Sequence, residues 1–219
     1  MIVERWKIKN HVVEYIDETH TYLVDGVITP SVTQILQFIF PGKYGGVDRA
    51  TLDNASRKGT LLHKIIEEYE NNGKTQKINR QNTKGGHITQ EFKNYIYLKK
   101  KFNFAPVQNE VPIIYEDEDG NVIFAGRLDM IALYEKKYCL IDLKRTYLLD
   151  VKYLRLQENL YWLAYQQCYE IKLDELRALH LRNENRAFKK IDINETEALE
   201  VIDKWRRRKN ETNCTRKKP

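Results

Sequence analysis

The chain opens with two short stretches, residues 2–9 and 12–16, where alternation and β-branched residues predict short strands. The run HTYLVDGVITPS predicts a hairpin turning at Asp25-Gly26, because an Asp-Gly pair accepts the positive φ angles of a two-residue turn. Pro30-Ser31 then opens a helix over VTQILQFIF, with Ser31 as its N-cap, and PGKYGG ends it. Leu61, Leu62, Ile65, Ile66 and Tyr69 recur at helical spacing and predict a long helix that stops near NNGK. TKGGH is a second break, and QEFKNYIYLKKKF predicts another helix.

After Pro106 the pattern changes. VQNEVPIIYE alternates as a strand does, EDEDGN turns at Asp119-Gly120, and VIFAGRLDMIALY and KKYCLIDLK are two further strands. Asp150 is placed to cap a helix from Val151 to about Tyr169. ELRALHLR and RAFKKIDI predict a last pair of strands, and a helix from about Asn194 leads into a basic end. The order predicts an α/β fold, with a mixed central sheet flanked by helices. One domain is expected over residues 1–203, with an N-terminal β-hairpin and helical segment, followed by a basic C-terminal tail over 204–219.

Composition narrows the class. With 219 residues, 42% hydrophobic and 31% charged, the chain suits one soluble globular core. No apolar run is long enough to cross a membrane, and MIVERWKIKN carries charges where a signal peptide is apolar. Cys139, Cys168 and Cys214 are odd in number and far apart, which argues against a disulfide framework, a zinc site or an iron–sulfur cluster. A reducing cytoplasm is the expected compartment.

The net charge of +6 is unevenly spread. Residues 43–101 hold thirteen basic and six acidic side chains, 102–203 thirteen and nineteen, and 204–219 eight and one. Basic flanks suit a polyanion held by its phosphates, and an acidic centre suits metal ions. Solvated faces and tails carry the same pattern.

The acidic centre has internal order. If the loop between FAGRLDMIALY and KYCLIDLKR centres on Glu135-Lys136, then Tyr134 faces Lys137 and Asp129 falls opposite Asp142. Lys144, two residues on, shares that face. Two opposed carboxylates repel each other unless positive charge sits between them, which leaves a hard divalent cation or a structural ion-pair cluster with Lys144. Glu110 adds a third carboxylate if its strand neighbours the hairpin. Gln157 and Tyr161 lie four apart on one helix face, beside an apolar stripe of Leu154, Leu160, Leu163 and Ala164. His63 follows Gly59 by four and precedes Glu67 by four.

Taken in order, Gly59 to His63, Glu110, Gly126-Arg127-Leu128-Asp129, Ile141-Asp142-Leu143-Lys144 and Gln157 to Tyr161 resemble the PD-(D/E)XK nuclease superfamily. Within it they are similar to the branch of RecB-type domains, phage exonucleases and the mitochondrial genome-maintenance exonuclease, as is PSVTQIL at Pro30 to Leu36. The resemblance spans about residues 29–169. It departs in two places: Leu128 stands where the proline of the name would be, and Asp142 replaces the commoner glutamate.

That resemblance implies hydrolysis of DNA phosphodiesters with Mg²⁺ or Mn²⁺. Its metal ligands would be His63, Glu110, Asp129, Asp142 and the Leu143 carbonyl. Lys144 would orient the attacking water, with a pKa lowered by the cation, and Gln157 and Tyr161 would position Lys144 or the scissile strand. Arg127 and Arg145 would reach phosphate or pair with nearby acids. Lys204, Arg206, Arg207, Arg208 and Lys209 would follow the DNA backbone. Tyr95, Tyr97, Trp162 and Tyr165 are candidates for base stacking, although most are expected in the core. The branch implies an exonuclease on single- or double-stranded DNA with free ends, in a bacterial cell or phage-infected host. It admits an endonuclease, a silent DNA- or protein-binding module, a homo-oligomer, and a recombination or single-strand-binding partner protein.

Overall fold

The computed structural model describes residues 3–43, 45–72, 87–182 and 186–216. The first four strands, β1 (Val3–Ile8), β2 (His11–Ile16), β3 (Thr21–Val24) and β4 (Val27–Thr29), form an antiparallel meander in sequence order. The β3–β4 turn falls on Asp25 and Gly26 at φ 51° and 78°, the left-handed geometry that Asp-Gly accepts. Helix α1 (Val32–Ile39) starts at Ser31, whose hydroxyl accepts from the Gln34 amide while the Gln34 side chain accepts from the Ser31 amide. The two short strands and the hairpin that the sequence predicts are thus joined in one four-stranded sheet.

Two long helices follow, α2 (Arg49–Asn72) and α3 (His87–Phe102). The break expected at TKGGH lies, except for His87, outside the described residues. The second sheet is built from β5 (Ala105–Glu116), β6 (Val122–Tyr134), β7 (Lys137–Lys144), β8 (Glu175–His180) and β9 (Ala187–Ile191), in that spatial order. Only β7 and β8 run parallel, joined through α4 (Val151–Cys168); the other neighbours are antiparallel. The fold is therefore α/β with a mixed sheet flanked by helices, as the element order predicts.

Alternation along β7 assigns its two faces. Cys139, Ile141 and Leu143 pack with α2 and α3 through Leu62, Ile66, Phe92 and Leu98. Leu140 faces the opposite layer, where Leu154, Leu156, Leu160 and Leu163 of α4 meet α1 and α5 (Glu195–Arg216). Each such leucine, removed from water, contributes roughly 1.5–3 kcal/mol. The Asp150 side chain accepts from the Tyr153 amide and so caps α4 where the sequence places the cap.

The meander packs on the edge of the second sheet through Ile114 and Ala125, and the Ala125 amide donates to the Pro30 carbonyl at 2.9 Å. At the other end, α5 continues unbroken through the boundary expected at residues 203 and 204. Trp205 packs edge-on to Phe38, the Arg206 guanidinium meets Asp117 at 2.8 Å, and Arg208 lies over the Phe38 ring. The basic end thus begins as part of a packed helix. Among the described residues, no helix is long and apolar enough to cross a membrane.

Gly59 sits inside α2, and a methyl group added there would meet no heavy atom within 4 Å. Helix interiors disfavour glycine relative to alanine by about 0.5–1 kcal/mol. Gly59→Ala is therefore expected to stabilise the fold by about that amount in urea unfolding. A loss of stability would place an unrecognised contact at this position.

Candidate active site

The site forms where the sheet splits. The β5–β6 register pairs Asn109 with Met130 and Val111 with Leu128, which sets Glu110 opposite Asp129. The β6–β7 register runs from Tyr134–Lys137 to Met130–Ile141, and one further step sets Asp129 opposite Asp142. Glu110, Asp129 and Asp142 thus occupy one row across three strands. Neither of these two opposed pairs is a ladder pair. Glu110 takes φ +49°, a left-handed conformation uncommon for a residue with a side chain. The β6–β7 ladder stops one pair short of the aspartates. Extending the register sets Asp129 opposite Asp142 as expected, but the ladder does not reach that pair, as repulsion between facing carboxylates favours.

Side chains fill the gap. Asp129 Oδ2 accepts from the Leu143 amide at 2.7 Å, replacing a strand-to-strand bond. His63 arrives from α2, with Nε2 3.1 Å from the Leu143 carbonyl and Nδ1 3.3 Å from Asp129 Oδ1. Its Nδ1 lies 3.9 Å from Glu110 Oε1. One ligand atom from each of His63, Glu110 and Asp129 lies within 4.8 Å of the others, a set able to hold a metal ion. Asp142 is not one of that group. Its Oδ1 accepts from Lys144 Nζ at 2.8 Å, and Gln157 Oε1 on α4 takes the same ammonium at 3.0 Å. Asp142 Oδ2 is buried without a hydrogen-bond partner among the described residues.

Gly126 fixes the next layer. A methyl group there would come within 2.9 Å of the Tyr161 ring and 3.2 Å of Ile113, so this position admits Tyr161 only because it is glycine. Gln157 lies one helical turn before Tyr161 on α4, and burial raises the Tyr161 phenol well above its usual range. The GRLD strand and the Gln157–Tyr161 helix face are thereby packed against each other, with Lys144 under Gln157.

Electrostatics separates the acids. Burial pushes Glu110 up to about 7, aided by Asp129 and opposed by Arg127 and His63. Burial also raises Asp142, although Lys144 opposes it. Burial would raise Asp129 as well, but the charge and hydrogen bond of His63 outweigh it and hold Asp129 below the usual carboxylate range. His63 is pushed up to about 9: burial opposes its charge, and Asp129 and Glu110 overcome that. Lys144 is held above its ordinary value, since Asp142 and Asp129 outweigh its desolvation. The lowered value expected for this lysine depends on a cation's own charge beside it.

The two arginines near the site hold acids. Arg127 Nε lies 2.7 Å from Glu110 and Nη1 2.8 Å from Glu4. Arg145 Nε lies 2.7 Å from Glu91, a fully buried carboxylate. Of the aromatic candidates, Tyr95 and Tyr165 are core residues, and Trp162 donates to the Leu173 carbonyl at 3.0 Å. Tyr97 is 43% exposed, with the Arg186 guanidinium 3.9 Å from its ring centre. Lys204 and Arg207 are exposed on α5, and the side chain of Lys209 lies outside the described ones.

Two features escape the sequence reading. A cleft of about 360 Å³ above His63, Glu110 and Asp129 is walled by Tyr15, His20 and Tyr22 of the N-terminal sheet. Tyr15 Oη and His20 Nδ1 are 2.6 Å apart on that wall. The second is Glu158 on α4, fully buried, with both carboxylate oxygens unpartnered among the described residues. Burial raises it well above the usual range, and Asp142 adds to the effect. Its spacing of four from Leu154 was the available signal, since that places it in the buried stripe.

No family model matches the chain, and no curated protein matches it. Among solved structures, the crystal structure of SSO0001 is similar over 82% of this chain and 75% of its own, at 15% identity and a TM-score of 0.44. A likeness of that size carries no argument, so the chemistry rests on the residues above.

Glu158 provides a test of the buried electrostatics. A carboxyl raised in the folded state stays protonated there while the unfolded chain ionises above about 4.3, so wild-type stability falls as pH rises from that point. Gln157 and Lys144 keep their places in Glu158→Gln, which does not titrate. Its stability relative to wild type in urea unfolding is expected to grow from pH 4 to pH 8. An advantage that shrinks with rising pH would mean that Glu158 is ionised and paired in the fold.

Proposed function

We propose that this chain is a metal-dependent deoxyribonuclease with a PD-(D/E)XK core, acting as an exonuclease on DNA ends. One observation carries the reading: at a single split strand end, His63, Glu110 and Asp129 converge beside an Asp142–Lys144–Gln157 chain. Asp142 Oδ2, buried beside that chain, has no hydrogen-bond partner among the described residues, which suits a carboxylate that meets a cation.

The donor set suits a hard divalent cation such as Mg²⁺ or Mn²⁺. It offers carboxylate oxygens from Glu110, Asp129 and Asp142 and the Leu143 carbonyl, with the His63 imidazole able to join only on losing its proton to a bound cation's charge. When bound, such an ion lowers the pKa of a coordinated water and neutralises charge on the phosphate. The chain's own residues do the rest. Glu110 and Asp129 hold the ion, and His63 orients Asp129 through Nδ1. Lys144, fixed by Asp142 and Gln157, offers positive charge to the phosphate as negative charge develops on it. The water oxygen forms a bond to phosphorus, one phosphorus–oxygen ester bond breaks, and the leaving oxygen takes a proton. Gln157 and Tyr161 act as positioning residues for Lys144.

Basic flanks would hold the DNA backbone, because Arg127 and Arg145 already spend their charge on acids. A place in recombination, replication or repair, in a bacterial or phage setting and alongside a recombination or single-strand-binding protein, extends the same reading.

End-labelled linear single strands, linear duplex and closed circles, incubated with Mg²⁺, test this directly. Wild type should shorten the linear substrates and spare the circles. Asp142→Ala and Lys144→Met should each reduce the rate by at least about 10²–10³-fold, the size seen when one preorganised electrostatic group is lost. Cut circles would make it an endonuclease. DNA binding without cutting in wild type would leave a binding module instead.

A further inference from the structure

The cleft above His63, Glu110 and Asp129 has one wall that the chemistry proposed so far does not use, the Tyr15–His20 pair of the N-terminal sheet. His20 closes the short 3₁₀ turn Asp17–Thr19 between β2 and β3, and its amide donates to the Asp17 carbonyl at 3.3 Å. Its backbone is left-handed, at φ 49° and ψ 42°, a conformation that histidine adopts more readily than most residues with a side chain. The turn fixes where the imidazole starts. Tyr15 fixes how it lies, with Oη 2.6 Å from Nδ1. Tyr15 is itself held: it is buried, its ring centre lies 4.8 Å from that of Tyr22, and the Arg127 guanidinium sits 4.9 Å from it. Arg127 also grips Glu110 at 2.7 Å. One run of contacts therefore joins His20 to the acid row, through Tyr15 and Arg127 to Glu110.

We propose that His20 is the general acid of this site, its Nε2 donating a proton to the ester oxygen that leaves phosphorus. The inference rests on the nuclease reading and names the proton source which that reading lacks. Position is the first argument. At about 360 Å³ the cleft is at the lower end of small-ligand pockets, so a phosphate bound at Glu110 and Asp129 comes up against the wall that carries His20.

Elimination is the second argument. Among the described residues that line the cleft, five are carboxylates, and Arg127 and His63 are engaged by acids. Lys64 lines it as well, but an amine that titrates at about 10.4 in water yields a proton at neutral pH less readily than an imidazole at about 6.5. The Thr60 hydroxyl and the Tyr22 phenol, which burial raises, are weaker acids still. Turnover is the third argument. His20 is exposed, so it regains its proton from solvent. Burial raises the Tyr15 phenol above its ordinary value, so Tyr15 stays neutral and its oxygen accepts from Nδ1–H. The step balances. The water oxygen bonds to phosphorus and sheds its proton to solvent, the ester bond breaks, and the leaving oxygen takes the Nε2 proton. His20 passes from imidazolium to neutral imidazole and keeps the proton on Nδ1.

A change of leaving atom tests this. Wild type, His20→Asn and Tyr15→Phe are given end-labelled single strands with Mg²⁺ present. One strand is all-oxygen, and two others carry sulfur in place of the 3′ or the 5′ bridging oxygen, because a thiolate leaves without a proton. Asparagine accepts the left-handed backbone at residue 20, and Tyr15→Phe keeps the ring packing, so either variant stands if the other fails to fold. His20→Asn should slow the all-oxygen strand by at least about 10²-fold, the usual size for a general acid, and match wild type on the strand whose sulfur is the leaving atom. Tyr15→Phe should slow the all-oxygen strand by less, and should also match wild type on that sulfur strand. Equal slowing of oxygen and sulfur strands would make the pair structural and overturn the inference. So would an all-oxygen strand cut at the wild-type rate by His20→Asn, and in both cases the nuclease reading stands. A wild type that cuts none of the strands ends the nuclease reading and this inference with it.

Discussion

Three carboxylates in one row on neighbouring strands are the constraint around which this molecule is arranged. Strand register alone puts Glu110, Asp129 and Asp142 side by side. Facing like charges destabilise a sheet. Each departure from regular structure nearby serves to part them or to bring in positive charge. Glu110 adopts a left-handed backbone, a strain of about 1–3 kcal/mol that persists only where surrounding structure enforces it. The β6–β7 ladder stops short, and the freed Leu143 amide turns to Asp129. Arg127, His63 and Lys144 then each take one of the three acids.

Holding those cations in place demands support from both faces of the sheet. His63 reaches the split from α2, whose Leu62 and Ile66 pack under Ile141 and Leu143. Lys144 is met from the other face by Gln157 on α4, which is anchored by Leu154, Leu156 and Leu160. Gly126 lets Tyr161 lie flush against the strand that carries Asp129. The site is therefore built on strands and helices, and its geometry is set by two cores. A substitution deep in either core is coupled to the site through one intervening side chain.

Much of this was legible in the sequence because local chemistry decides it. Asp25-Gly26, Ser31 and Asp150 mark a turn and two caps by side-chain geometry alone, while Glu135-Lys136 is located by the strand patterns on either side, and each sits where expected. Once the Glu135-Lys136 turn is placed, the alignment of Asp129 with Asp142 follows by counting. What could not be counted was the response to that alignment: a ladder that breaks, and a carboxylate that turns to a backbone amide. The partners of Arg127 and Arg145 were equally hidden, since Glu4 and Glu91 are far away in sequence and meet them only through tertiary packing. Glu158 is hard to find from sequence because a charged residue in a helix is ordinarily solvated, although its place in the apolar stripe points inward. The sequence marks two short strands and a hairpin in the N-terminal sheet, but the sheet's role as a wall of the cleft depends on how two sheets meet.

The same electrostatics decides how a polyanion would approach. The cleft at His63 is lined by five carboxylates, Glu4, Asp17, Glu67, Glu110 and Asp129, against Lys64 and Arg127 and the two histidines. Arg127 is already shared between two of those acids. Such a surface repels phosphate at close range, so attraction must come from elsewhere. The basic excess of residues 43–101 and the cationic end of α5 can supply it at a distance, within the screening length of the salt. Entry to the cleft itself then requires the acids to be neutralised first, by protons or by a bound cation. On the nuclease reading, this makes cation binding a condition for productive substrate binding as well as for chemistry.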